Sequence, residues 1–317
     1  MRLFGVILCA FLFAAADVGP ESVTALLAAG RVDDAISTLE SRISASPSDA
    51  DAYNQLCRAY YALGNWDRSI SACEKAVALA PGNARYHLWL GRSYGEKADS
   101  SSFLTAAGLA KKVRTEFERA VQLSPDDVDA RTDLAEFYVE APGIVGGGRD
   151  KARAQAQALV KLDPEKAHWV NARLAEKAKD TATAEREYRA GIEASANSAV
   201  AWLDLAMFYR RVGRMDDMEN AIVHATSAQT DQSEVLVDAA QTLIRAGRNF
   251  AGAIQMLEKY LSGVTIEEFP AFKAHYVLGT TLEKQGDKKG AAQQYRAALS
   301  LARSFTPAQD ALNRVTR

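Results

Sequence analysis

An all-α fold built from repeated helical pairs is predicted by three features of the sequence. Apolar residues recur at the helical spacing i, i+3, i+4 and i+7, as at Tyr53, Leu56, Cys57 and Tyr60. A turn at Gly64 interrupts this stripe, and a second helical stripe follows it. The same frame of stripe, glycine turn and stripe then returns along the chain. Together these features predict a solenoid of helix-turn-helix units.

The N-terminal residues 1–16 differ from the rest of the chain. Met1 and Arg2 precede an apolar run from Leu3 to Phe13, which ends in three alanines. This pattern predicts a secretory signal peptide and an exported protein, periplasmic or secreted. The run is shorter than the about 20 apolar residues of a membrane span, so no stable span is expected in the mature chain. Alternatively, the run is the first core helix of a cytoplasmic protein.

Residues 17–306 are predicted to hold about seven copies of the frame. The register places the first helix near Asp17, directly after the N-terminal segment. Small residues such as Gly279 and Ala291 stand where two antiparallel helices must approach closely. One pair cannot bury its own apolar face, so neighbouring pairs must stack. Prolines close four of the copies, at Pro47, Pro81, Pro125 and Pro164.

These positions resemble the tetratricopeptide repeat, a 34-residue helix-turn-helix with the pattern W-x2-L-G-x2-Y…A-x3-F…P. The resemblance covers nearly the whole chain after Ala16. It implies a right-handed superhelix whose inner groove is lined mainly by first helices. Members that bind acidic C-termini of heat-shock chaperones use Lys and Asn at set groove positions, and that clamp is not expected here. The matching places hold Asn54 and Arg58, then Leu88 and Arg92, then Thr132 and Glu136.

Two units carry insertions, near residues 96–112 and 141–148. The first includes a run of serines, Ser100 to Ser102, followed by Phe103 and Leu104, and the second is rich in glycine. Insertions in solenoids form loops on one edge, which is often a binding edge. After the last unit, residues 307–317 are predicted to form a short capping helix with Leu312 and Val315 facing inward.

Charge and motif content argue against several functions. Lys+Arg 38 against Asp+Glu 40 gives a net charge of -2, which is unlike the basic balance of a nucleic-acid binder. The glycine-rich insertion lacks the lysine of a P-loop, and the serines lack a nucleophile elbow. Three histidines, His87, His168 and His275, stand where the repeat has an aromatic residue, so they are expected at helix interfaces. They lie in separate units and lack metal-ligand spacing. No catalytic, cofactor-binding or metal-binding residue is predicted.

One cysteine pair has two interpretations. Cys57 and Cys73 fall on facing sides of a single helical pair, across Gly64. In an exported protein they could form a disulfide, provided that their Cα atoms lie within roughly 7 Å. Alternatively, both act as small apolar side chains in the core.

The register also predicts which side chains face the inner groove. Arg58, Arg92 and Arg173 occupy equivalent places and are expected to receive carboxylates or carbonyl oxygens of an extended peptide. A mixture of Arg, Trp, Tyr and Met is typical of contact surfaces, although a solvated face could also carry it. The predicted partner-binding residues are Asn54, Arg58, Tyr61, Leu88, Arg92, Trp169, Arg173, Leu203, Met207, Val237, Ile244 and Tyr276.

The predicted function is a non-enzymatic scaffold that binds a protein or peptide within an exported or envelope complex. A second hypothesis is a regulatory or positioning subunit of an enzyme complex. A third is an enzyme built in the inserted loops, which requires polar groups to converge at Ser100–Ser102, Arg149 and Asp150. Fold alone does not assign function. The identity of the partner separates the first two hypotheses, and the arrangement of the inserted segments tests the third.

Overall fold

Helices supply the regular secondary structure of the described residues, which confirms the all-α prediction. The computed structural model describes residues 22–227 and 233–317, so the predicted signal segment 1–16 lies outside them. A 3₁₀ helix covers Gly143–Val145. The α-helices are α1 Val23–Ala28, α2 Val32–Ala45, α3 Ala50–Ala62, α4 Trp66–Leu79, α5 Ala84–Asp99, α6 Phe103–Leu123, α7 Val128–Glu140, α8 Arg149–Leu162, α9 Pro164–Lys177, α10 Thr181–Ala194, α11 Ala199–Arg211, α12 Met215–Ser227, α13 Ser233–Ala246, α14 Phe250–Ser262, α15 Ala271–Lys284, α16 Lys288–Leu301 and α17 Thr306–Thr316.

Consecutive helices pack as antiparallel pairs, from α1–α2 to α15–α16. Eight pairs are present in the described residues, against about seven predicted. The turn inside a pair needs a left-handed residue, and Gly64 supplies it with φ +71°. Side chains cap many helices, as where Asp49 accepts from the amide of Ala52 at 2.9 Å.

Glycine allows two helices of one pair to touch. A Cβ on Gly279 of α15 would lie 2.6 Å from the ring of Tyr295 on α16. Gly91 of α5 meets the ring of Phe117 on α6 in the same way. Tyr295 is fully buried, so its ring cannot swing into solvent to make room. The small residue predicted at this position therefore lets a large ring fill the space between the two helices.

Gly279→Ala is expected to lower the free energy of unfolding by about 1 kcal/mol or more, because the added methyl group overpacks the α15–α16 contact. The matched control is Gly108→Ala on α6, where a Cβ would meet nothing within 4 Å. That change should raise stability by about 0.5–1 kcal/mol through helix propensity alone. Urea unfolding of both variants measures the difference, and a stabilised Gly279→Ala protein would contradict the close packing.

Tyrosines tie each early pair to the pair before it. Tyr94 donates to Glu74 at 2.5 Å, and Tyr138 donates to Glu118 at 2.8 Å. In both cases the carboxylate precedes the phenol by 20 residues, so the contact repeats with the unit. Burial raises the pKa of both phenols above the ordinary value, which keeps each hydroxyl a donor. The stacking of units is thus held by hydrogen bonds as well as by apolar contact.

The two insertions have different structures. The expected loop near 96–112 is mostly helix, because α5 continues to Asp99 and α6 begins at Phe103 and runs for 21 residues. Good helix formers, including alanines on both helices, extend the pair rather than bulge from it. Residues 141–148 do form a loop, closed where the amide of Gly148 donates to the carbonyl of Tyr138 at 2.9 Å. After the last pair, α17 packs Leu312 and Val315 against the last apolar cluster.

The last pair returns to the first, so the array closes on itself. Thr265 donates to the carbonyl of Ala28 at 2.6 Å, and Ser304 donates to Asp33 at 2.8 Å. Phe272 is fully buried in the same apolar cluster as the first helices. The linker 263–270, between α14 and α15, crosses to the second pair. The predicted inner groove therefore lies on the inner face of a closed array.

Candidate functional site

The predicted groove residues divide into two groups. Asn54, Leu88, Leu203 and Val237 are between 2% and 5% exposed, so they pack between pairs and cannot contact a partner. This part of the prediction is wrong, because side chains at that register position are buried against the next pair. The remaining eight are partly exposed: Arg58, Tyr61, Arg92, Trp169, Arg173, Met207, Ile244 and Tyr276.

The three equivalent arginines are already paired within the chain. Arg92 lies 2.6 Å from Asp133, and Arg173 lies 2.9 Å from Glu140. Arg58 reaches across the array and meets Glu267 of the 263–270 linker at 2.5 Å. Their charges therefore hold parts of the array together, and the expectation that they receive the carboxylates of a partner is not supported.

A cavity of about 710 Å³, here called the chamber, opens on the inner face between α3, α5, α7 and the 263–270 linker. Trp89 lines the chamber, and the guanidinium carbons of Arg58 and Arg92 lie over its ring, 5.0 and 5.1 Å from the ring centroid. Seven carboxylates and three cations line this cavity. They are Glu96, Asp99, Asp133, Glu136, Glu140, Glu267, Glu268, Arg58, Arg92 and Lys273.

The charges of the chamber do not balance. Within the described part of the chain, Glu96, Asp99, Glu136 and Glu268 have no ion-pair partner. The walls of the chamber restrict the solvation of the Glu136 carboxylate and so raise its pKa. The charges of Asp133 and Glu140 raise this pKa further, whereas the charge of Arg173 opposes the shift. Burial likewise lowers the pKa of Lys273 to about 8. The chamber thus carries an excess of negative charge that a cationic group would relieve.

A second cavity, here called the apolar pocket, adjoins the chamber and has a volume of about 400 Å³. The two insertions form it together, because α5, the first half of α6 and the 141–148 loop all contribute lining. Alanines of α6 make its floor, and Phe103 and Ile144 stand at its edge with 82% and 85% exposure. Gly95, Asp99, Phe137 and Glu140 line both cavities, so the two spaces lie side by side.

The polar groups of the insertions do not converge. Ser101 donates to the carbonyl of Lys97 at 2.6 Å, and Ser102 lies 3.2 Å from the hydroxyl of Thr105. Asp150 is 96% exposed and pairs with Arg153 on its own helix. The insertions bring apolar side chains together. The convergence of polar side chains that the enzyme hypothesis requires is not observed at Ser101, Ser102 and Asp150.

The disulfide interpretation is the one that the structure adopts. Cys57 of α3 and Cys73 of α4 are bonded, with their Cα atoms 5.2 Å apart. Both are fully buried, and the hydroxyls of Ser69 and Ser93 lie beside the Cys57 sulfur at 3.4 and 3.5 Å. The bond therefore joins the two helices of the second pair.

The three interface histidines each contact the second helix of their own pair. Nδ1 of His87 lies 2.6 Å from Glu116, and Nδ1 of His168 lies 2.9 Å from Glu187. His275 contacts Gln294 at 2.7 Å. Across residues 22–227 and 233–317, no group of three or more His, Cys, Asp or Glu side chains is placed to hold a metal ion. In the same ranges no helix has the length and apolar content to cross a membrane.

Asp204 of α11 is a buried carboxyl with incomplete pairing. Its nearest cation, Nζ of Lys166, is 4.0 Å from Oδ2, and that oxygen has no hydrogen-bond partner. Burial raises the pKa of Asp204 to about 7, against the opposing charge of Lys166. Sequence patterns missed this group, since nothing local marks an aspartate that the closed array will enclose.

Asp204→Asn is expected to make stability less dependent on pH. A carboxyl whose folded pKa lies above its unfolded pKa stabilises the fold while protonated and loses that contribution as pH rises towards the folded value. The wild type should therefore lose about 2 kcal/mol relative to Asp204→Asn between about pH 5 and pH 7. Urea unfolding across pH measures this, with Glu258→Gln on α14 as control. Parallel curves for the wild type and Asp204→Asn would contradict the raised pKa.

Comparison with known proteins identifies the repeat. Models described as tetratricopeptide repeat match residues 26–94 and residues 237–306, at the two ends of the closed array. The chain is a tetratricopeptide-repeat protein. Proteins with this repeat bind protein partners, and the fold is generally a non-enzymatic interaction scaffold. No curated protein matches the sequence at a significant level.

Solved structures are similar to this chain at low sequence identity. The structure of yeast Tom70 is 16% identical, with 90% of this chain and 58% of that chain covered and a TM-score of 0.55. The APC/C hetero-tetramer Cut9–Hcn1 gives 14% identity, 92% and 54% coverage and a TM-score of 0.42. A thermophilic protein of Thermus thermophilus gives 18%, 70% and 95%, and 0.47. The chain spans little more than half the length of the first two, and the similarity extends to the fold alone.

Proposed function

We propose that this protein is a non-enzymatic scaffold that binds a protein segment on its inner face, as part of an exported or envelope complex. The observation that carries the proposal is the adjoining chamber and apolar pocket, which combine carboxylates that have no ion pair among the described residues with exposed apolar side chains. Exposed apolar residues that cluster beside a groove are typical of interaction sites. The serines and Asp150 of the two insertions, which the enzyme hypothesis requires, do not converge on this groove.

Two features support the exported location. The N-terminal segment has the pattern of a secretory signal. A buried disulfide is typical of proteins that fold in an oxidising compartment, since cytosolic thiols are kept reduced. The two features are independent, because one lies in residues 1–16 and the other in the second helical pair.

Site-specific photo-crosslinking in intact cells tests the scaffold function. A photoreactive phenylalanine derivative at Asp99, which lines both cavities, should give a discrete crosslinked partner in the envelope fraction. The same group at Val223 of α12, which is 62% exposed and is not among the lining residues of either cavity, serves as the matched control. Equal crosslinking from both positions, or none from Asp99, would refute binding at the inner face.

A further inference from the structure

We propose that the chamber and the apolar pocket together bind a protein segment in which large apolar side chains are followed by lysine or arginine. This rests on the proposed scaffold function and names the chemistry of the partner. The apolar side chains would enter the apolar pocket, and the cations would enter the chamber. The sequence had suggested the opposite charge for the partner, on the strength of three arginines that the structure shows to be paired.

The apolar end of the site is open and of suitable size. Its volume of about 400 Å³ lies within the range of roughly 300–1,000 Å³ for ligand pockets. Ala106, Ala107 and Ala110 of α6 line it with small side chains, so an incoming side chain can approach the helix closely. Phe103 and Ile144 stand on opposite elements at its edge and are almost fully exposed. An apolar side chain placed between them would remove three surfaces from water at once.

The charged end of the site calls for a cation. Four carboxylates without an ion pair among the described residues line the chamber, against a single such cation, Lys273. An ammonium or guanidinium group donates charge-assisted hydrogen bonds to carboxylates of this kind. An acidic segment would instead add repulsion to these carboxylates.

The side chains that line both cavities fix the order of the two parts. Asp99 and Glu140 line both cavities, so a cation can lie only a short distance along the chain from the apolar anchor. Glu140 is already paired with Arg173 and Lys177, whereas Asp99 has no ion pair in the described residues. Asp99 is thus the first carboxylate that a basic side chain would meet on leaving the apolar pocket.

Fluorescence anisotropy with three labelled peptides tests the proposal on the purified full chain. The peptide LFALAKARK carries both features, LFALAEAEE reverses the charge, and SGSGAKARK removes the apolar part. The first should bind at least about tenfold more tightly than the other two, since each part contributes on the order of 1.4 kcal/mol. Its affinity should fall with salt, because the carboxylates act through charge.

Variants at exposed positions assign the two parts without disturbing the fold. Ile144→Ser and Phe103→Ser should each weaken LFALAKARK about tenfold by removing apolar contact, whereas Val223→Ser should leave it unchanged. Glu136→Gln and Asp99→Asn should weaken binding about threefold to tenfold and reduce its salt dependence. Glu258→Gln, an exposed carboxylate change on α14, is the matched control.

Several outcomes would overturn the inference. Equal or tighter binding of LFALAEAEE would show that the partner is acidic, and unchanged affinity in Ile144→Ser would show that the apolar pocket is not used. If sedimentation velocity showed that the chain dimerises, and the dimer did not bind LFALAKARK, the pocket would be assigned to a second copy of the chain. If crosslinking from Asp99 captures a partner while LFALAKARK does not bind, the scaffold function stands and the proposed chemistry of the partner is wrong.

Discussion

Arg58→Ala is expected to lower the free energy of unfolding by about 3 kcal/mol or more. Arg58 and Glu267 have side chains only 10% and 9% exposed, with 2.5 Å between the paired atoms. Removing one member of a buried ion pair leaves the other charge without compensation, which is more costly than the net contribution of the intact pair. Urea unfolding near pH 7, followed by circular dichroism, gives the difference from the wild type.

The pH dependence of this loss identifies its cause. Burial raises the pKa of Glu267 even beside Arg58, and without the arginine that pKa must rise further. A carboxyl with a raised folded pKa contributes stability when protonated and loses it as pH rises through that value. The deficit of Arg58→Ala should therefore be small in acid and grow towards neutral pH.

Two controls separate charge from packing. The double variant Arg58→Met with Glu267→Gln should recover most of the lost stability, since neither residue then carries a buried charge. Arg153→Ala removes an exposed pair with Asp150, with side chains 60% and 96% exposed, and should leave stability within experimental error. If Arg58→Ala matched Arg153→Ala, the contact between the second pair and the 263–270 linker would not be formed.

The helical pairs could be predicted from the sequence because the pattern that specifies them is local and repeated. Each copy needs a small residue opposite a ring, as at Gly279 and Tyr295, and a glycine at the turn, as at Gly64. These requirements lie within one unit and recur in the next, so several weak matches in register give a reliable prediction. The tyrosine–glutamate contacts were missed, although a glutamate 20 residues before Tyr94 and Tyr138 is visible in the sequence.

The closure of the array could not be predicted in this way. Arg58 and Glu267 are separated by 209 residues, and no repeat pattern relates a first unit to a last one. Closure depends on how the small rotation between neighbouring pairs adds up over the whole array. One of the ion pairs of the groove arginines depends on this closure. Arg58 meets Glu267 because the 263–270 linker returns to the second pair. The one local sign was the length of that linker.

The candidate site combines both kinds of information. The two insertions were visible as departures from the repeat length, and their proximity follows from adjacent units. Whether they would form loops or helices was decided by their residues, because the alanines near Phe103 favour a longer α6. The exposed side chains at the apolar pocket could be seen only once the helices were placed, since any of them could have been covered by the next unit.

Replacing both disulfide cysteines, as Cys57→Ala with Cys73→Ala, is expected to lower the free energy of unfolding by about 3 kcal/mol. The bond closes a loop with a sequence separation of 16, and a crosslink of about that length restricts the unfolded chain by roughly this amount. No polar group loses its partner, since Ser69 and Ser93 remain bonded to each other at 2.9 Å. Urea unfolding of the variant and the oxidised wild type measures the difference.

Reduction supplies the control for the disulfide. Dithiothreitol should bring the wild type close to the stability of the double variant and leave the variant unchanged, because only the wild type has a bond to break. Thiol titration of the denatured, unreduced protein should find Cys57 and Cys73 unreactive, so that Cys9 is the sole reactive thiol in a chain that keeps its N-terminal segment. Reaction at Cys57 and Cys73 in protein taken from the envelope fraction would show that the bond does not form there, and the support that it gives to an oxidising location would be lost with it.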